Sequence, residues 1–144
     1  MRAYELSIAY LVAGLRQSQN LLRNTTPDWG SSNDCWDSNV VGCIGEMALA
    51  KALDKFWSGS VGDYGAKDVG GFQVRASEGT DGLRIRQRDK DEDLFFHAKI
   101  AGMYVYIFGP MTAGEAKRIG VPRFNQWYVP LNLLPIYLPG QTRD

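Results

Sequence analysis

The residues KDVGGFQVRAS (67–77) mark the point where the period of the chain changes. From Phe72 onward the pattern alternates: Phe72, Val74 and Ala76 point to one side, and Gln73, Arg75 and Ser77 to the other, as on a half-buried strand. Gly70-Gly71 permits a sharp bend, and that bend carries the Asp68 carboxylate back towards Gln73. After the turn EGTDG comes GLRIRQRD, with Leu83 and Ile85 on one face and Arg84, Arg86 and Arg88 on the other. The two alternating runs are expected to pair as an antiparallel hairpin. RDKDED is a polar turn, and LFFHAKI (94–100) and MYVYIF (103–108) read as two further strands joined at Gly102. Thr112 and Glu115 have capping-box spacing, opening a short helix that ends at Gly120. WYV (127–129) is a last short strand, and LNLLPIYL a short helix or apolar cover.

Upstream of the period change the pattern is helical. Residues 3–23 form an amphipathic helix on the spacing of Leu6, Ala9, Tyr10, Ala13 and Leu21. Residues 24–38, rich in Asn, Asp, Ser, Pro and Gly, read as a loop that Trp29 and Trp36 pack down. A second helix is expected from Asn39 to Phe56. Its stripe of Gly42, Gly45, Ala48, Leu49 and Ala52 allows close approach to a sheet. Residues 58–71 are glycine-rich but lack the spacing of a phosphate loop. Helices followed by consecutive strands predict one α/β domain over 1–144, a mixed or antiparallel sheet flanked by helices, with an apolar C-terminal tail.

The chain has 144 residues, 44% of them hydrophobic and 12% aromatic, enough for a real core. Lys+Arg and Asp+Glu both number 16, so coating DNA by bulk positive charge is excluded and any nucleic-acid contact must come from a local patch. Cys35 and Cys43 have neither disulfide-scaffold nor zinc spacing, and reduced thiols in a cytoplasmic protein are the expectation. The N-terminal run carries Glu5 and Arg16 and lacks the length of uncharged apolar sequence that a membrane span or signal peptide needs.

Four residues bear chemistry together: Glu46, Asp68, Gln73 and Arg75. Gln73 and Arg75 share a strand face, Asp68 bends back over the glycine pair, and Glu46 sits among small residues on a helix that can pack on the same sheet. Read alone, Glu46 is equally a solvated helix charge paired with Lys51 or Lys55. As a set, GCIGEMALAKAL, KDVGG and FQVRAS resemble the PD-(D/E)XK nuclease superfamily, a helical Glu followed by Asp and then (E/Q)-x-K. The chain is most similar to small phage-encoded members, and the similarity covers about residues 40–138. The resemblance implies a restriction-endonuclease-like fold and an endo- or exodeoxyribonuclease working in the host cytoplasm with Mg²⁺ or Mn²⁺. It implies Asp68 and Gln73 as metal ligands, Glu46 completing the shell directly or through water, and Arg75 on the scissile phosphate. It also allows a homodimer, for which the aromatic-rich C-terminal third is the available surface. Two residues depart from the pattern. Gln73 removes a negative charge from the metal shell, and Arg75 replaces a lysine and stays protonated, so it is no general base. Together they leave open a non-catalytic DNA-binding or protein-interaction module on the same fold.

Arg84, Arg86 and Arg88 either extend a basic strip beside Gln73 and Arg75 for backbone phosphates or form a solvated face paired with nearby acids. His97, the single histidine, sits in an apolar run and is expected in the core. Asp89, Asp91 and Asp93 lack the glycine and terminal Glu of a calcium loop and read as a turn. Tyr104, Tyr106 and Phe108 alternate with Met103, Val105 and Ile107, and this strand is expected to be buried on both faces.

Overall fold

A computed structural model describes residues 1–23, 32–61, 67–79 and 81–138, with the backbone alone for 32–35. It is mixed α/β. In chain order the elements are α1 (Ala3–Leu22), α2 (Ser32–Ala52), β1 (Gln73–Ser77), β2 (Leu83–Arg86), β3 (Leu94–Ala101), β4 (Tyr104–Thr112), α3 (Ala113–Ile119), β5 (Val121–Arg123), β6 (Gln126–Val129) and a 3₁₀ turn at Leu131–Leu133. The described strands form two three-stranded sheets, ordered β1-β3-β4 and β2-β6-β5.

The first sheet lies in the middle. One face packs against α2, joining Val74, Phe96, Ala98 and Ile107 to Ala48, Leu49 and Ala50. The other carries Phe95 and Met111 into a second cluster with Leu83, Ile85, Val129, Ala113 and Ala116, so β2, β6 and α3 cover it. α1 lies on the far side of α2, where Ala9 and Ala13 meet Val40, Cys43, Ile44 and Met47. The approach of α2 to β1 depends on Gly45. A Cβ there would stand 2.6 Å from the Ala76 Cβ and 3.3 Å from that of Ala98.

Several expectations hold. α1 and β6 fall where the spacing places them, and β3 and β4 form the hairpin joined at Gly102, which takes φ +60. The Thr112 hydroxyl accepts from the Glu115 N–H at 3.1 Å, and α3 ends at Gly120. His97 is buried. The acidic run is a turn, where Asp89 accepts from the Arg86 N–H at 2.8 Å and Lys117 bridges to Asp91 at 2.7 Å.

Four expectations are corrected. β1 does not pair with β2: it runs parallel to β3, with Gln73 opposite Phe95 and Arg75 opposite His97, while β2 pairs antiparallel with β6. Period two fixes the faces of a strand but not its partner. Leu83 and Ile85 gain full burial against Val129 in the second sheet, and Gly82 lets the chain pass so close to the Val129 carbonyl that no side chain would fit. Residues 32–38 are the first turns of α2 rather than loop (24–31 lie outside the described residues), and α2 ends at Ala52, with Asp54 at φ +52. Short polar residues carry a turn signal because they compete for backbone hydrogen bonds, yet Asp37 and Ser38 serve equally on an exposed helix face. Among the described strands β4 is an edge strand, with Tyr104 and Tyr106 more than half exposed. In α1, Tyr10 and Leu21 are exposed, and the buried side is narrower and more polar than the spacing suggests.

Gly45→Ala tests the helix–strand approach. The gain in helix propensity is about 1 kcal/mol, and the clash with Ala76 exceeds it. The variant is expected to lose about 1–2 kcal/mol net in urea unfolding.

Candidate functional site

Glu46 lies on the α2 face turned towards α1, and its residue is 7% exposed, so it is not a solvated charge. Arg16 of α1 grips it with a two-pronged fork: Nη1 donates to Oε1 at 2.7 Å and Nη2 to Oε2 at 2.8 Å. The Trp57 indole N–H adds 2.9 Å to Oε2, and Arg16 Nε donates to the Ser60 carbonyl at 2.9 Å. Burial works against the guanidinium charge, and the Glu46 pair more than offsets it, so the Arg16 pKa is raised. Lys51, one expected partner of Glu46, bonds Glu5 instead, at 2.8 Å. Arg16 and Trp57 escape the motif reading. The signal for Arg16 was present, since it is the single charge between Leu6 and Leu22 of an otherwise apolar and polar-neutral helix.

Asp68 folds back across Gly70 and Gly71, whose φ angles of +53 and +92 favour glycine. Phe72 N–H donates to the Val69 carbonyl at 2.8 Å to close the turn. Asp68 Oδ2 then accepts from the Val74 N–H at 2.8 Å, one residue beyond Gln73. Burial pushes the Asp68 carboxyl up to about 6, and the nearby Glu46 charge adds to the rise. The Val74 N–H, Arg75 and Arg16 pull it down. Asp68, Glu46, Arg16 and Arg75 therefore share one electrostatic neighbourhood, assembled from α1, α2, β1 and the turn before it.

Gln73 is half-buried, and its side chain has no hydrogen-bond partner among the described residues. Arg75 turns to the second sheet. Its Nη2 reaches both Asp89 oxygens, at 3.1 and 3.2 Å, and its guanidinium lies 5.0 Å from the Phe95 ring centre. Arg75 Nε is buried without a partner. Because β2 lies in the other sheet, Arg84 and Arg86 do not extend the β1 face. They stand across from it in a cleft of about 370 Å³ along the free edge of β1. Val74, Arg75 and Ser77 form one wall, and Asp37, Glu78 and Asp81 share the space. Arg88 is exposed in the turn after β2, outside this lining.

These donors fit a hard cation in part. Asp68 Oδ1 and the Gln73 amide oxygen have no partner among the described residues and are oxygen ligands of the kind Mg²⁺ takes. Both Glu46 oxygens are occupied by Arg16 and Trp57, so direct ligation by Glu46 would require the fork to open. Among the described residues no three His, Cys, Asp or Glu side chains converge on one point. No helix among them is long and apolar enough to cross a membrane.

No family model, curated protein or solved structure matches the chain.

Two titrating groups, half-buried Asp68 and buried His97, oppose each other in the stability of the fold. Asp68, at about 6, holds a proton in the native state that the unfolded chain releases near pH 4, so its contribution falls as pH rises from about 4 to 6. His97 is pushed down to about 4, chiefly by burial, so the unfolded chain takes up a proton below pH 6.5 that the native state refuses. Its contribution rises with pH over nearly the same window. Each slope amounts to roughly 3 kcal/mol across its window, so the wild type is expected to be nearly flat between pH 4 and 6. Asp68→Asn is expected to uncover the rising slope and His97→Phe the falling one in urea unfolding measured across pH 4–7.5.

Proposed function

We propose that the chain is a metal-dependent nuclease of the PD-(D/E)XK type, acting on DNA along the β1 edge, with a restriction-endonuclease-like core. The observation that carries this reading is the Asp68 carboxylate. It is held by the Val74 N–H across the glycine turn, raised by burial beside a second buried carboxylate, and set immediately before Gln73-x-Arg75. Two desolvated acids in one neighbourhood, one of them strongly perturbed, are typical of sites that hold a cation or move a proton.

In this reading Asp68 Oδ1 and the Gln73 amide oxygen hold Mg²⁺ or Mn²⁺. When bound, the ion supplies Lewis-acid stabilisation of phosphate charge and a more acidic water. Asp68 must be ionised to serve, so metal binding competes with the proton that burial favours on its carboxyl and weakens as pH falls. Glu46 acts as a positioning residue: it fixes Arg16, whose charge partly offsets the Asp68 carboxylate. Arg75 remains protonated and contacts a phosphate oxygen once it exchanges Asp89 for substrate. Arg84 and Arg86 contact flanking phosphates from the opposite wall.

The test is cleavage of supercoiled, linear, single-stranded and branched DNA with Mg²⁺ or Mn²⁺. Asp68→Asn is expected to lose about 100-fold or more in rate and to lose the rise in Tm that the metal gives the wild type. Cleavage and metal stabilisation unchanged in Asp68→Asn would sink the assignment.

A second reading, a DNA-binding module without turnover, is favoured by one observation: both Glu46 oxygens and Arg75 Nη2 are already engaged by protein partners. It expects no cleavage by a folded, metal-supplied protein. In either reading Arg84→Ala and Arg86→Ala are each expected to weaken DNA binding and to reduce the slope of log affinity against log salt by about 1. Binding measured across salt concentrations decides it, and an unchanged slope removes these arginines from the interface.

A further inference from the structure

α1 makes its inward contacts through Leu6, Ala9, Val12 and Ala13 together with three bonded polar side chains, and leaves a second apolar seam facing out. The side turned to α2 carries Glu5, Arg16 and Gln17, bonded to Lys51, Glu46 and Asn39, with Ala9 and Ala13 as its fully buried side chains. The opposite side carries Tyr4, Ile8, Leu11, Leu15, Ser18 and Leu22. Their steps of four, three, four, three and four residues are a heptad repeat, with Ile8, Leu15 and Leu22 at one core position and Tyr4, Leu11 and Ser18 at the other. The five large ones are exposed: Tyr4 56%, Ile8 45%, Leu11 66%, Leu15 52% and Leu22 86%. A 3.5-residue apolar period is what one helix presents to another; a helix lying on its own globular core follows 3.6.

We propose that this seam is a homodimer interface, in which α1 of one copy packs against α1 of a second copy across a two-fold axis. Three observations favour a second copy over other occupants. First, the seam carries no charge, so identical surfaces meet without repulsion and no complementary acidic or basic partner is demanded. Second, the repeat is self-complementary when the helices run antiparallel. Leu11 of each copy then faces Leu15 of the other, Ile8 faces Ser18, and Tyr4 faces Leu22, every pair centred on Ala13. The small Ser18 makes room for Ile8, and the helix dipoles oppose head to tail. Third, the five apolar side chains expose roughly 600 Å², close to the ~800 Å² per partner of a standard interface and at the upper end of what a monomer leaves uncovered. A membrane surface fits less well. Interfacial helices line their polar face with Lys and Arg, whereas the single basic residue inside α1, Arg16, is turned inward onto Glu46. The dimer places the two copies back to back through α1, on the far side of α2 from the second sheet. It also moves the expected interface from the aromatic C-terminal third to the N-terminal helix.

The test uses the full chain. Sedimentation velocity from low to high micromolar protein is expected to show the wild type moving from the 16.1 kDa chain mass to twice that value. Leu11→Glu with Leu15→Glu, and the milder Leu11→Gln with Leu15→Gln, are expected to stay at the single-chain mass. Both positions are exposed, so their far-UV spectra should match the wild type and their Tm should match that of the wild type at concentrations where it is monomeric. A wild type that stays monomeric throughout overturns the proposal, as does a folded double variant that still dimerises. A monomeric wild type that co-sediments with phosphatidylglycerol/phosphatidylethanolamine vesicles, with binding lost in the variants, overturns it in favour of a lipid surface.

Discussion

A guanidinium from the middle of α1 and a carboxylate from the middle of α2 meet in a largely desolvated seam, and the placement of both helices follows from that meeting. The Arg16–Glu46 pair costs desolvation on both sides, and such a pair is weak support for stability as such. Its effect is on specificity. Ala9 and Ala13 are smooth and allow α1 to slide or rotate on α2, whereas a fork closed at 2.7 and 2.8 Å has one geometry. Removing one partner would strand the other charge in a site built for two, at about 3–5 kcal/mol. Trp57 and the Ser60 carbonyl add a hydrogen bond to each partner, tying the segment after α2 to the same point.

From that pair the rest of the site is set by close approach. Gly45 precedes Glu46 and lets α2 lie against Ala76 of β1, so the neighbour that orients the acid also brings its helix onto the strand. The same contact brings Asp68, folded over its glycine turn onto Val74, into the field of Glu46 and Arg16. Arg75 points the other way. It reaches Asp89 and Phe95 and links β1 to the turn after β2. One strand thus separates two charge clusters, a buried acid–guanidinium cluster on the α2 side and an arginine–aspartate cluster on the second-sheet side. The cleft along its edge is lined by Arg75 of the second cluster, with Arg84 and Arg86.

The polarity of α1 explains why its spacing misleads. A helix resting on a core normally hides its widest apolar stripe, so Leu6, Ala9, Tyr10, Ala13 and Leu21 were the natural inner face. Ala9 and Ala13 are indeed buried, but Tyr10 and Leu21 are exposed, because the inner face is specified by Arg16, Gln17 and Glu5 and their partners on α2. Polar registration inside frees the larger apolar residues for the outside. A similar inversion occurs in β4, whose alternating aromatic and aliphatic run looks buried on both faces until its edge position leaves Tyr104 and Tyr106 uncovered.

The sequence by itself determined what depends on local geometry. The period change at Phe72, the glycine bend that returns Asp68 to the strand, the β3–β4 hairpin at Gly102, the Thr112 cap and the burial of His97 all follow from backbone preferences and nearest neighbours. The candidate acids Glu46 and Asp68 were legible for the same reason, as charges set among small residues and glycines. Partners distant in the chain were decided only by the tertiary structure. Alternation states which way a side chain points and not which strand lies alongside, so the choice of β3 over β2 as the partner of β1 rested on where Leu83 and Ile85 could be buried. Likewise, a charge in sequence carries no record of its counter-charge. Arg16 stands thirty residues from Glu46, and Asp89 fourteen from Arg75. Desolvation makes those pairings obligatory once the helices and sheets close, and closing them is a property of the whole fold.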